Sequence, residues 1–259
     1  MFSTNLRARL GRAYGRRAAV WFARRTLPFK LSQPLISFTF DDFPRSALLV
    51  AGKMLEEHGA AGTYYTSLGL MGKTAPTGQI FLEEDLLALL ASRHEVACHT
   101  YDHFPAWETP TADYVASVGR NAEALKRLAP HSTRFASHSF PINFPRVATK
   151  RWLSARFQSS RGGGQTYHRD SVELNHLNSF FIEQSVHRPQ AIQEVIEANA
   201  RDHGWLIFST HDVSESPTRY GCTPSLFADT LKWSLASGAQ IVTMAGALET
   251  IAPDKQKRI

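Results

Sequence analysis

Two adjacent carboxylates, Asp41 and Asp42, close the apolar, β-prone run Ile36-Ser37-Phe38-Thr39-Phe40, and Pro44 then stops it. Side by side, two acids repel, so a cation or a division of labour is needed to make both tolerable. His99-Thr100-Tyr101-Asp102-His103 follows a second run of this kind, and His211-Asp212 follows another. Asp42, His99 and His103 offer one oxygen and two nitrogens and leave a coordination position open, as a catalytic divalent ion requires. The four-residue step from His99 to His103 lets both rings grip one ion if the segment makes a helical turn. Each residue alone has a plainer reading. Asp41 and Asp42 could cap a helix beginning near Ser46, and His99 could be a core histidine bonded to backbone. Recurrence at several strand ends turns the reading toward a metal centre.

These groups converge only if the strands that carry them lie side by side. Alternating apolar runs and helical patterns predict strands over 35–40, 62–67, 95–100, 133–139, 156–160, 179–184, 205–210 and 240–244. Helices are expected over 46–58, 83–92, 112–128, 146–155, 189–202 and 224–237, with Pro189 and Pro224 near helix starts. Residues 165–178 are polar and show no clear period. Strands that alternate with helices imply parallel β-α units, and eight of them imply one closed barrel. In such a barrel the working residues sit at the carboxyl ends of the strands, where Asp41, Asp42, His99, His103 and His211 all fall.

The composition is that of a globular domain, and 259 residues are ample for a large core. No apolar run approaches the roughly 18 to 20 residues of a membrane span. Cys98 and Cys222 make no disulfide framework and fit a reducing compartment. The net charge of +6 is unevenly placed: residues 1–40 hold eight Arg or Lys and no acid. Leu6, Leu10, Ala13, Tyr14, Val20 and Trp21 recur at roughly helical spacing, with Arg7, Arg9, Arg12 and Arg16 off that stripe. Such a helix packs on the barrel or lies on an anionic membrane surface, and packing is the commoner case. The basic residues are not interleaved with an aromatic platform, so no nucleic-acid partner is expected. The start lacks the apolar h-region of a secretory signal. A cytoplasmic protein is therefore expected, with peripheral contact at the inner face of the membrane through the basic N-terminus.

Thr39-Phe40-Asp41-Asp42, His99-Thr100-Tyr101-Asp102-His103 and Leu206-Ile207-Phe208-Ser209-Thr210-His211-Asp212 resemble the first, second and fifth motifs of polysaccharide deacetylases, the carbohydrate esterases with a NodB homology domain. The resemblance runs from about Pro34 to Met244 and implies a distorted (β/α)7–8 barrel. Around it the chain divides into a basic amphipathic segment at 1–33, the barrel at 34–250 and a basic tail at 251–259. Carried over by position, the resemblance implies that Asp41 is the general base and that Asp42, His99 and His103 bind the metal. His211 would be the general acid. The implied ion is Zn2+, with Co2+, Mn2+ or Ni2+ as alternatives. The implied reaction is attack of metal-bound water on the acetyl carbonyl of an N-acetylated sugar in a poly- or oligosaccharide.

The departure lies in the third motif, where Arg134-Phe135-Ala136-Ser137-His138-Ser139-Phe140 lacks the prolines and glycine of the family's turn. Arg161, at the end of the fifth strand, is the candidate to replace that motif's arginine as partner of Asp41; its plainer reading is a solvated loop residue. His138 touches substrate or merely lines the rim. Tyr101, Phe104, Trp107 and Phe140 stack on sugar faces or form loop core. Asp212 and Asp170 could keep His211 charged, although exposure or capping is the preferred reading of both. Three other functions use the same residues: an O-acetyl esterase, another amide C–N hydrolase, and a catalytically silent glycan-binding protein.

Overall fold

Leu35–Phe40 (β1) is buried at all six positions, as a strand must be when both faces of a parallel sheet are covered. The computed structural model describes residues 18–131 and 134–252. Thr63–Thr66 (β2), Glu95–Cys98 (β3), Ser137–Ser139 (β4), Ser159–Arg161 (β5), Phe180–Phe181 (β6), Trp205–Thr210 (β7) and Gln240–Ile241 (β8) complete one sheet. Every pairing within it is parallel, and the spatial order is β6-β7-β1-β2-β3-β4-β5. Chain order is thus spatial order around a curl. β5 and β6 are the two ends of the sheet path, and residues 174–177, which lead into β6, run beside β5 through backbone bonds from Ser160 N to Leu174 O, Leu177 N to Ser160 O and Gly162 N to Leu177 O. The result is a distorted (β/α) barrel of seven staves.

The eighth strand is not a stave. β7 occupies one edge of β1 along its whole length. On the other edge β8 pairs with Leu35 and Ile36, and β2 takes over at Thr39 and Phe40. Two short strands therefore share one edge, and closure needs seven staves where the sequence pattern suggested eight.

Side chains alternate across this wall. Ile36, Phe38 and Phe40 point outward into the helix layer, where the Phe38 ring lies 5.4 Å from Phe208 and the Phe40 ring 4.7 Å from Tyr64. Leu35 joins Tyr65, Ala97, Trp205 and Ile207 in a second, inner cluster, and Trp205 Nε1 donates to Ser37 Oγ at 3.0 Å. Cys98 and Cys222 are buried free thiols.

Several ends differ from expectation. β4 begins at Ser137, and residues 132 and 133 lie outside the described part. β6 gives way at Ile182–Ser185 to a 3-10 turn. The helix expected over 46–58 opens with a π-helical stretch, Ala47–Gly52, before Lys53–Glu57. Thr26–Pro28 pairs antiparallel with Ser171–Glu173, and Thr74–Ala75 with Gly78–Gln79. Strands of two or three residues are too short to carry a period, which is why neither ribbon was anticipated.

The described end of the basic segment is fastened to the barrel. Lys150 is fully buried on the helix Val147–Leu153, and its Nζ donates to Ala19 O at 2.8 Å and Glu173 Oε2 at 2.6 Å. Arg25 donates to the carbonyls of Ser154, Phe157 and Gln158. The rest of the expected amphipathic helix, residues 1–17, and most of the expected tail, 253–259, lie outside the described residues. Among the described residues no helix is long and apolar enough to cross a membrane.

Phe40 joins both the β1 wall and the helix layer, so Phe40→Ala should lower unfolding free energy by about 3–5 kcal/mol. Denaturant unfolding at constant m-value checks this; a loss below about 1 kcal/mol would mean that the outer core is not continuous there.

Candidate metal centre and active site

Neighbouring residues of a strand point to opposite faces, so Asp41 and Asp42 cannot both reach one rim by β geometry alone. The backbone solves this by leaving the β region. Asp42 (φ 60°), Phe43 (φ 56°), Thr100 (φ 63°) and His103 (φ 56°) are all left-handed without being glycine. Each such residue costs on the order of 1–3 kcal/mol, and strain of this kind gathers at functional sites. The step from His99 to His103 is accordingly not the helical turn suggested by its spacing. It is an irregular loop with left-handed corners at Thr100 and His103, and it leaves the two rings 5.0 Å apart. Ser117 Oγ anchors the loop, accepting from Tyr101 N at 3.1 Å and Asp102 N at 3.0 Å, while Arg120 pairs with the Asp102 carboxylate.

Asp42, His99 and His103 come together. Asp42 Oδ1 lies 3.0 Å from His103 Nε2 and 3.5 Å from His99 Nε2, and one ligand atom of each residue lies within 4.8 Å of the others. Thr77 Oγ1 donates to Asp42 Oδ2 at 3.1 Å. His99 Nδ1 sits 3.1 Å from Ser139 O and 2.5 Å from Ser139 Oγ; a proton on Nδ1 suits the carbonyl, and the Nε2 lone pair then faces Asp42. Burial pushes the His99 imidazole down to about 4, so it is neutral, as a ligand must be. Burial opposes ionisation of Asp42, but its histidine neighbours, His103 foremost, hold it well below the usual carboxylate range. Asp42 Oδ1 is buried and no hydrogen-bond donor is aligned with it. A buried, ionised oxygen facing two imidazole nitrogens is a donor set that fits a divalent cation.

Asp41 is tied down differently. The fully buried Arg161, at the end of β5, donates from Nη2 to Asp41 Oδ1, and from Nη1 to Ser179 Oγ at 3.0 Å. Ser139 Oγ also reaches Oδ1 at 3.2 Å, and Ser209 Oγ reaches Oδ2 at 3.3 Å. Burial pushes the Asp41 carboxyl up, but Arg161, with His99 and His211, outweighs it and brings the group down to about 2. His211 lies close enough for its charge to bear on both aspartates, and its Nδ1 is 3.1 Å from Tyr220 O, which leaves Nε2 for a ligand.

Other candidates lie elsewhere. Arg134 is exposed. His138 points outward from β4, away from the barrel interior, with Nε2 3.1 Å from Tyr114 Oη; burial holds its pKa well below the ordinary value. Phe140 is fully buried against His138, so it is loop core, whereas Phe104 is partly exposed. Asp212 is buried and holds its own loop by accepting from Thr218 N and Oγ1, and Asp170 is exposed beside Arg169. Ser139, Ser209 and Thr77, which orient the two aspartates, had no signal in the sequence beyond their places near strand ends or in a loop.

Glu183 was missed as well. It follows β6 by two residues and lines a cavity of about 450 Å3 with Thr218 and Arg219. Burial, with Asp41 adding to it, pushes its carboxyl up to about 8 against the opposing pull of Arg161, and Oε2 has no hydrogen-bond partner. A carboxylate following a strand end is the available signal, but the apolar run over 179–184 predicts a strand that continues through it.

Residues 30–145 match the family model described as polysaccharide deacetylase. Over that stretch, a little under half of the chain, the sequence is similar to polysaccharide deacetylases. The match contains Asp41, Asp42, His99 and His103; Arg161 and His211 lie beyond it. No curated protein matches the sequence. Among solved structures, the peptidoglycan deacetylase PdaC of Bacillus subtilis superposes with a TM-score of 0.58 at 15% identity, covering 87% of this chain and 94% of its own. A CE4 esterase of Streptococcus mutans gives 0.56 at 13% identity, covering 89% and 91%. A mutant of a CE4 family pseudoenzyme, with restored enzymatic activity, gives 0.60 at 8% identity, covering 86% and 71%. At these identities the likeness is one of fold.

The Glu183 carboxyl binds a proton in the folded chain that the unfolded chain releases near 4.5. Stability should therefore fall as pH rises from about 4.5 to 8 through this group, and Glu183→Gln should flatten that part of the curve. Thermal unfolding of both proteins across this range checks the sign; parallel curves would show that Glu183 is not buried as described.

Proposed function

We propose that the chain is a metal-dependent hydrolase that removes acetyl groups from an N-acetylated sugar of a poly- or oligosaccharide. One observation carries this reading: an ionised Asp41, fixed by Arg161, stands beside the Asp42, His99 and His103 cluster, with His211 on the same rim. The class of carbohydrate follows the domain type, and PdaC, of like fold, acts on peptidoglycan.

Asp42, His99 and His103 would hold the ion, and two imidazoles with one carboxylate suit Zn2+. Such an ion, when bound, polarises an acetyl carbonyl and acidifies water. Asp41 takes the proton of the attacking water. Its Oδ1 is engaged by Arg161 and Ser139, so Oδ2, held only by the longer Ser209 contact, is the accepting oxygen. Arg161 keeps this carboxylate ionised and fixes its plane, a positioning role that the family's third motif fills with another arginine. His211, with Nδ1 tethered to Tyr220 O, delivers a proton from Nε2 to the departing amine nitrogen. Thr77 and Ser139 fix the orientation of Asp42 and His99 from behind.

Asp41→Asn should lower kcat for acetate release by about 10²- to 10⁴-fold, the usual worth of a positioned base, and leave metal content unchanged. Full activity in that variant would overturn the assignment. Elemental analysis should find about one zinc-like ion per chain in the wild type and a loss of it in His99→Ala. Equal metal content in the two proteins would remove His99 from the ligand set.

A further inference from the structure

A cavity of about 640 Å3 lies between the N-terminal segment and the ends of β4, β5 and β6. We propose that it binds a second sugar ring of the carbohydrate, next to the ring that is deacetylated. The proposal rests on the deacetylase reading above and adds a subsite built by residues 18–24, which lie outside the family match.

Three observations carry it. First, the cavity borders the catalytic strand ends. Its wall includes Asn143 and Phe144, just beyond Ser139, Gly163, two residues beyond Arg161, and Gln184, three beyond β6. Ser139 and Arg161 are the residues that hold Asp41, and the cavity wall continues from the same two strands.

Second, the wall has the chemistry that sugars need. Trp21 and Phe144 present flat apolar rings, and Asn143, Asn178 and Gln184 bring planar amides, which both donate and accept. A pyranose shows apolar C–H faces and a girdle of hydroxyls, and these match aromatic faces and amides respectively. Trp21 is 70% exposed, far more than a packing role would leave it. Phe144 also meets Trp107 edge to face, at 5.8 Å between centroids, and so links the cavity to the loop that follows His103. The volume falls within the range of about 300–1,000 Å3 usual for small-ligand sites.

Third, the cavity is built and held. Lys150 Nζ fixes Ala19 O, two residues from Trp21, and Arg25 fixes the segment from its other side. Ile142 (φ 57°), Asn143 (φ 66°) and Gln165 (φ 50°) are left-handed around the opening, and for a β-branched residue such as Ile142 that is a true outlier. Gly164 is required here, since a Cβ at this position would collide with the Asn178 side-chain amide. A lipid surface would use Val20, Trp21 and Phe22 but would have no use for the amides, so the carbohydrate is the better fit.

The test is calorimetric titration of the metal-loaded protein with N-acetylglucosamine, its β-1,4-linked tetramer, and partly acetylated xylose and xylotetraose. The wild type should bind at least one tetramer about tenfold more tightly than its monosaccharide, the worth of one stacked ring with its hydrogen bonds. Trp21→Ala should abolish that preference and Gln184→Ala should weaken it, with monosaccharide binding unchanged in both. Trp21 is exposed, so its loss should not unfold the chain. No preference for any tetramer in the wild type, or an undiminished preference in Trp21→Ala, would overturn the proposal. So would a variant whose only change is weaker sedimentation with anionic vesicles. Binding needs no turnover: length-dependent binding without acetate release would remove the deacetylase reading and keep the subsite. Acetate release that ignores chain length would do the reverse.

Discussion

The contact between Arg161 and Asp41 is the constraint on which the rest of the structure depends. Both groups are buried, and a buried charge is tolerated only when it is paired and hydrogen-bonded. They come from β5 and β1, four strand spacings apart along the sheet. In a flat sheet that separation would be about 19 Å. The pair therefore exists only because the sheet curls into a barrel, and a barrel that opened would leave two unpaired charges in an apolar interior. Ser139 on β4 and Ser209 on β7 bind the same carboxylate, so Asp41 ties together staves from across the ring.

The second constraint is the separation of the two adjacent acids. Left-handed backbone at Asp42 lets its side chain turn to His99 and His103, while Asp41 keeps its strand direction and faces Arg161. One carboxylate is oriented by a guanidinium and hydroxyls, the other by imidazoles and Thr77. Their environments differ although they are neighbours in sequence, which is the physical basis for giving them different work.

The basic N-terminal segment has a structural part that its charge does not announce. Arg25 is spent on three carbonyls, and Lys150, far along the chain, closes on Ala19 and Glu173. Of the eight basic residues before the first acid, Arg25 packs the segment against the barrel, and Trp21, four residues before it, lines the cavity beside the strand ends.

The sequence by itself determined much of the site, because its signals are local. Apolar runs ending in Asp41-Asp42, in His99 and in His211 mark strand ends, and β-α alternation places those ends on one rim. The grouping of Asp42, His99 and His103 was legible in this way, and the pairing of Arg161 with Asp41 was suggested by the departure from the resembled third motif. Tertiary structure decided the remainder. Whether Arg161 faced solvent or Asp41 depended on the closure of the ring, and the seven-stave count depended on β8 and β2 sharing an edge of β1. The outward turn of His138, the proton held by Glu183 and the pairing of Thr26–Pro28 with Ser171–Glu173 all join residues distant in sequence. Periodicity reports which face of an element is buried; it carries no record of what that face meets, because the partner is chosen by the packing of the whole chain.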